Sequence, residues 1–203
     1  IHSNINVQMN YWPAESTNLS ELHLPFVNYV INMAGRDNWK RAATQFGGVK
    51  HGWTCFTENN IFGGMSLWGN NYFVANAWYC SHLWQHYPFT LDEKFLLRAF
   101  PTLWSCAQFW MERMIDDRGC PSLGILPDGS YVAPDEYSAE QNAHPKEDGT
   151  AHAQQLIYAL LRSVRQSVDI LGVKRVGLTQ ADVEQLDRFL ARVDRGLHTE
   201  IYT

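Results

Sequence analysis

Residues Thr150–Leu171 read TAHAQQLIYALLRSVRQSVDIL. Ile157, Leu160, Leu161, Val164, Val168 and Leu171 recur at three- and four-residue steps, so they fall on one stripe of an α-helix and cannot share a face of a strand. Thr179–Arg195 repeats the pattern with Val183, Leu186, Phe189, Leu190 and Val193; Thr179 serves as cap and Gly196 as stop. Working outward from this pair, the same period gives helices over Leu24–Ala34, with Pro25 in the first turn, over Asn38–Gln45 and over Tyr72–His86. Thr90-Leu-Asp-Glu93 spells a capping box, and the helix it opens kinks or restarts at Pro101 and continues to Asp116. Ile61–Gly69 reads as loop, and Asp117–Gly149 as a long loop punctuated by Pro121, Pro127, Pro134 and Pro145. No stretch sustains strand alternation. The reading is one all-α domain over residues 1–203, and its long loops fit an α/α toroid better than a plain bundle.

The chain has 203 residues, 45% hydrophobic and 18% charged, with a formal charge of -5. That balance suits a folded domain. It carries no basic stripe of the kind that nucleic acid or an anionic membrane rewards, so neither is expected as a partner. No apolar run approaches the roughly 20 residues that cross a bilayer, and no targeting segment is read at the N-terminus. Cys55, Cys80, Cys106 and Cys120 form no Cys-x-x-Cys pair. Eight Trp, nine Tyr and ten Phe are unusual, and many crowd with Asn and His between Trp53 and Tyr87. Aromatic faces beside amides and imidazoles suit a sugar, which offers an apolar C–H face and a rim of hydroxyls; the plainer reading is an aromatic core.

The run His2-Ser-Asn-Ile-Asn-Val-Gln-Met-Asn-Tyr-Trp-Pro-Ala-Glu15, followed by Asn18-Leu-Ser-Glu-Leu-His23, resembles the signature of the glycoside hydrolase family 95 α-L-fucosidases. Three more segments agree in order and spacing: Ala77–Tyr87, Pro134–Glu140 and Gly149–Ile157. The resemblance implies an (α/α)6 barrel, of which this chain is roughly the first half. It also implies inverting hydrolysis of terminal α-linked L-fucose, or L-galactose, in fucosylated oligosaccharides or polysaccharides. No cofactor and no metal are expected. A secreted or periplasmic location follows from the same likeness. Where the family reads Pro-Ser-x-Ser-Pro-Glu, this chain has Pro134-Asp-Glu-Tyr-Ser-Ala-Glu140. Glu140 matches the general acid and Glu136 is the runner-up. Asn4 and Asn6 match the amides that hold the attacking water, and His2 matches a sugar-binding imidazole.

The chemistry explains the residue types. An inverting glycosidase needs a protonated acid on the leaving oxygen and a water held on the opposite ring face. An amide carbonyl orients water but is a poor base, so a carboxylate must take the proton; in the family that is an Asp late in the barrel, beyond Thr203 here. An extended backbone would send Asn4 and Asn6 to one side. Trp78 and His82 are read as sugar-contacting cavity wall and Trp84 as either wall or core. His82 and His86 stand four apart, as zinc ligands do, yet no third ligand is evident. A half-barrel would leave Ile157, Leu160, Val164 and Val168 bare, predicting association of two chains or poor solubility, and the missing carboxylate predicts a fragment that is silent alone. The alternative to a glycosidase is a non-catalytic carbohydrate-binding or interaction module on a truncated barrel.

Overall fold

The structure is a computed structural model and describes residues 2–66, 72–114, 128–136 and 147–197. Among these residues the elements are α1 (Asn6–Ser16), α2 (Ser20–Ala34), α3 (Asp37–Gln45), α4 (Ala75–Thr90), α5 (Glu93–Met114), α6 (Ala151–Leu171) and α7 (Gln180–Arg192). Only isolated β-bridges accompany them. The fold is all-α, and none of the described helices is long and apolar enough to cross a membrane.

The apolar stripes do what their period dictates. α4, α5 and α6 pack against one another, α7 covers α6, and α1 and α2 lie against α4. Every stripe residue of α6 named above is buried. This corrects the expectation of a bare face at Ile157, Leu160, Val164 and Val168, because α5, α4 and α7 already cover it. Apart from Ile170 near the end of α6, the large apolar side chains that face solvent among the described residues are elsewhere, as at Met9 and Trp12 on α1, Leu19 and Leu22 around the start of α2, and Ile61, Phe62, Phe89, Leu91 and Leu197.

Many of the aromatics are core. Trp39 stacks on Trp53 at 5.4 Å, and both are fully buried with Trp110. Two of these three buried indole N–H groups find acceptors. Trp53 donates to the Thr102 carbonyl at 3.1 Å and Trp110 to Asn76 Oδ1 at 2.9 Å, while Asn76 Nδ2 donates to the Trp53 carbonyl at 2.8 Å. The loop before α4 approaches α5 at Gly52, whose φ is +94°; a Cβ there would stand 2.6 Å from the Ser105 carbonyl oxygen.

α2 starts at Ser20, four residues before the expected Leu24, so Pro25 lies beyond its first turn, and α4 starts at Ala75 instead of Tyr72. Four further differences each have a local reason. α4 runs on through Thr90, whose hydroxyl bonds back to the His86 carbonyl at 2.8 Å. The cap of α5 is Asp92 instead, accepting from the backbone of Lys94 at 2.9 Å and Phe95 at 3.0 Å. α5 passes Pro101 unbroken; the proline is exposed, so the carbonyl it leaves without a donor lies where water can serve it. α7 is capped by Thr179 as expected but stops at Arg192, because Tyr131 takes the Arg192 carbonyl at 2.9 Å and gives its own carbonyl to Asp194 N–H at 2.9 Å. The fourth concerns the N-terminus. It is a turn over residues 3–5 that enters α1, not an extended segment, so the same-side argument for Asn4 and Asn6 fails.

Candidate active site

The N-terminal turn is fastened to the loop that follows Trp53. Ser3 N–H donates to the Thr57 carbonyl at 2.8 Å, the Ser3 hydroxyl to the Phe56 carbonyl at 2.6 Å, and His2 bridges Glu58 in antiparallel register. From inside α1, the Gln8 amide closes the turn, donating to the Ser3 carbonyl at 2.6 Å and accepting from Ile5 N–H at 3.2 Å. Between the two asparagines, Ile5 holds a φ of 127°. A β-branched residue there is strained by about 1–3 kcal/mol and persists only because its surroundings over-determine it. Asn4 is buried and Asn6 is exposed as the first residue of α1.

Beside this turn opens a cleft of about 480 Å³ lined by His2, Glu58, Asn59, Asn60, Gly64, Met65 and Ser66. Its floor is preorganised. Asn59 Oδ1 accepts from the Tyr29 hydroxyl at 2.7 Å, and Asn59 Nδ2 donates to the Phe56 carbonyl at 3.3 Å. Burial pushes the Tyr29 and Tyr79 phenols upward, so both stay protonated at neutral pH. Asn60 Oδ1 folds the next turn by accepting from Phe62 N–H at 2.9 Å and Gly64 N–H at 3.1 Å. His2 Nε2 meets Glu58 Oε1 at 3.1 Å, with both side chains about half exposed. Glu58, Asn59 and Asn60 were absent from the sequence reading, and the Asn-rich run Glu58-Asn-Asn60 was the signal available.

Trp78 is half-buried on α4 and is not among the residues lining this cleft. It meets the ring of His152 edge-on at 5.0 Å. The Tyr72 hydroxyl bonds His152 Nε2 at 2.7 Å, and burial lowers the pKa of His152, so the imidazole is neutral at pH 7.

His82 has no exposed surface, so the structure does not make it cavity wall. Its Nδ1 lies 2.9 Å from His23 Nε2. His23 Nδ1 and His86 Nδ1 both stand 2.7 Å from Glu15 Oε1, and the Ser20 hydroxyl donates to Glu15 Oε2 at 2.5 Å. Burial pushes the Glu15 carboxyl upward, but the hydrogen bonds from Ser20, His23 and His86 outweigh it and hold the pKa below the ordinary range. Burial lowers His23, and it lowers His82 to about 3 with help from His23. The structure therefore gives His86 the companions that the sequence did not reveal: Glu15, His23 and His86 bring three metal-capable atoms within 4.8 Å. Two ligands on one tetrahedral zinc stand about 3.3 Å apart, so the 2.7 Å separations are hydrogen-bond geometry.

The loop after α5 is anchored at both described ends. Glu136 and Glu147 exchange backbone hydrogen bonds at 3.2 and 3.0 Å. The Glu136 side chain is wholly buried, 4.0 Å from the Arg113 guanidinium, and accepts from Val74 N–H at 3.4 Å. Arg113 also donates to the carbonyls of Gly47 at 2.9 Å and Pro134 at 3.0 Å.

Over residues 1–201 the sequence matches the glycosyl hydrolase family 95 catalytic domain. The chain belongs to glycoside hydrolase family 95. It is similar to a probable alpha-fucosidase A of Aspergillus niger, at 30% identity over 97% of this chain and 24% of that protein. It is also similar to alpha-L-fucosidase 2 of Arabidopsis thaliana, at 32% identity over 56% of this chain and 14% of that protein. The chain thus spans about a quarter of the Aspergillus relative's length. The family's α/α toroid accommodates the helices seen here as part of a barrel. In this family 95 chain, the structure brings His2 to a cleft, sets Asn4 buried in the strained turn beside it, and puts Asn6 exposed at the start of α1. Glu140 lies outside the described residues, between the two backbone-paired glutamates in sequence.

Proposed function

We propose that the native-length protein carrying this family 95 domain hydrolyses terminal α-linked L-fucose, or L-galactose, from fucosylated glycans with inversion. The observation that carries the reading is the clamped turn His2–Asn6 at the edge of the cleft. A cleft near 480 Å³ falls within the ~300–1,000 Å³ range of small-ligand sites, and strain next to candidate catalytic amides is where functional strain is found. Glu140 is the general acid and protonates the leaving oxygen. The burial of Glu136 against Arg113 supports Glu140 over Glu136, because a side chain without exposed surface does not reach a glycosidic oxygen. Asn4 and Asn6 orient the attacking water through their carbonyls, and His2 contacts the sugar. The carboxylate that takes the water's proton comes from polypeptide beyond Thr203, and the 203 residues alone are silent. A secreted or periplasmic location fits a glycan substrate and is checked by fractionation.

Glu140→Gln in the native-length protein should abolish cleavage of a natural glycan while sparing binding, because an amide cannot donate the proton. A substrate with an activated leaving group should lose less. Near-normal glycan turnover by Glu140→Gln, with loss in Glu136→Gln, would transfer the role. Proton NMR of the first-formed sugar should show inverted configuration; retention would exclude the water role of Asn4 and Asn6.

A further inference from the structure

We infer that Glu58 sets the orientation of His2 and selects for uncharged glycans at the cleft, an inference that rests on the reading of this cleft as a sugar site. Glu58 is the one carboxylate among the described residues lining it, in company with the neutral groups of Asn59, Asn60, Ser66 and Met65. Its place is rigid from both sides. The Thr57 carbonyl before it is held by Ser3 N–H, and Asn59 after it is held by Tyr29. Its own carbonyl accepts from Ser66 N–H at 3.1 Å, which closes the loop across the cleft. Glu58 Oε1 at 3.1 Å from His2 Nε2 fixes the imidazole plane, since a ring flip would put a carbon where the nitrogen now meets the carboxylate.

A half-exposed contact of this kind contributes little to stability, so its consequence lies in what enters the cleft. Hydroxyl groups can donate to a carboxylate and to amide oxygens. A sulfate group or the carboxylate of a uronate cannot donate, and it brings like charge to within a few ångströms of Glu58. At that separation in a wet cleft the repulsion amounts to about a fivefold loss of affinity. The cleft therefore favours neutral fucosylated chains over the same chains bearing acidic groups next to the fucose.

The test uses the native-length protein and two substrates: a neutral α-L-fucosyl oligosaccharide, and the same oligosaccharide with a sulfate ester on the residue adjoining the fucose. Glu58→Gln keeps size and hydrogen bonding but removes the charge; it should raise kcat/KM for the sulfated substrate, relative to the neutral one, about fivefold. Glu58→Ala should raise KM for the neutral substrate several-fold with kcat changed less than twofold, and Gln should recover most of that KM. A sulfated-to-neutral ratio unchanged in Glu58→Gln overturns the selectivity role, and an unchanged KM in Glu58→Ala overturns the orienting role. Failure of the wild-type protein to cleave either substrate would instead refute the sugar reading on which this rests.

Discussion

Lowering the pH from 7 to 4.5 should destabilise this protein steeply, and His82 gives the size of the effect. The Glu15 carboxylate only accepts, so His23 donates to it from Nδ1. With both imidazoles neutral, His82 donates from Nδ1 to His23 Nε2. His82 Nε2 then sits buried without a hydrogen-bond partner, with the Phe26 ring 5.1 Å from its own. Protonation would place a cation and an unsatisfied N–H in that apolar setting, next to a second imidazole. Burial first, and His23 second, thus depress the pKa from 6.5 to about 3, against the pull of Glu15. The folded pKa lies below the unfolded one, so between pH 6.5 and 3 the unfolded chain binds the extra proton. Stability from this group is complete above pH 6.5 and falls as pH drops, at about 1.36 kcal/mol per pH unit. At pH 4.5, two units below, His82 alone removes about 2.7 kcal/mol, a large share of a typical ~5–15 kcal/mol total. The lowered pKa of His23 acts in the same direction from pH 6.5 downward, and that of Glu15 does so below about 4.5. Urea unfolding followed by the fluorescence of the buried tryptophans, at half-unit steps from pH 7.5 to 4.5, measures the slope. His82→Gln cannot titrate, yet its amide can still donate to His23, so the slope should fall by close to one proton. Equal slopes in the two proteins would refute the reasoning.

Three further outcomes follow from individual hydrogen-bonded or charged partners. Glu136→Gln removes a buried negative charge 4.0 Å from the Arg113 guanidinium and should cost about 3 kcal/mol in the same urea assay, as removal of one member of a buried pair does. Asn76→Ala strands the Trp110 indole N–H and the Trp53 carbonyl together and should cost about 2–4 kcal/mol, read as an earlier midpoint with an unchanged urea dependence. Thr179→Ala removes the cap of α7 and should cost about 1 kcal/mol; because Thr179 is exposed and is not among the residues lining the cleft, cleavage of a fucoside by the native-length protein should be unaffected.

The strongly periodic helices are legible in the chain without its fold. α6 was read from Thr150 to Leu171 and runs over Ala151–Leu171 with its stripe buried, because a 3.6-residue period over six apolar residues admits one backbone. α7 was equally legible at its start, where Thr179 and Asp182 satisfy each other locally. The family resemblance was legible in the same way, as a linear string from His2 to Glu15. α1 was missed because its buried positions are Gln8, Ala14 and Glu15, polar groups whose burial makes sense only once Ser3, His23 and His86 are there to meet them. The tertiary structure alone decided that Glu58 stands against His2, 56 positions away in the chain, and that Asn59 is steadied by Tyr29. It likewise decided that Glu136 is walled in by Arg113 and that His82 belongs to a buried network and not to the cleft. Periodicity fixes which face of an element is buried, since that is a property of neighbours along one backbone. The choice of partner for a buried polar group depends on which helices come together, and no local pattern encodes that.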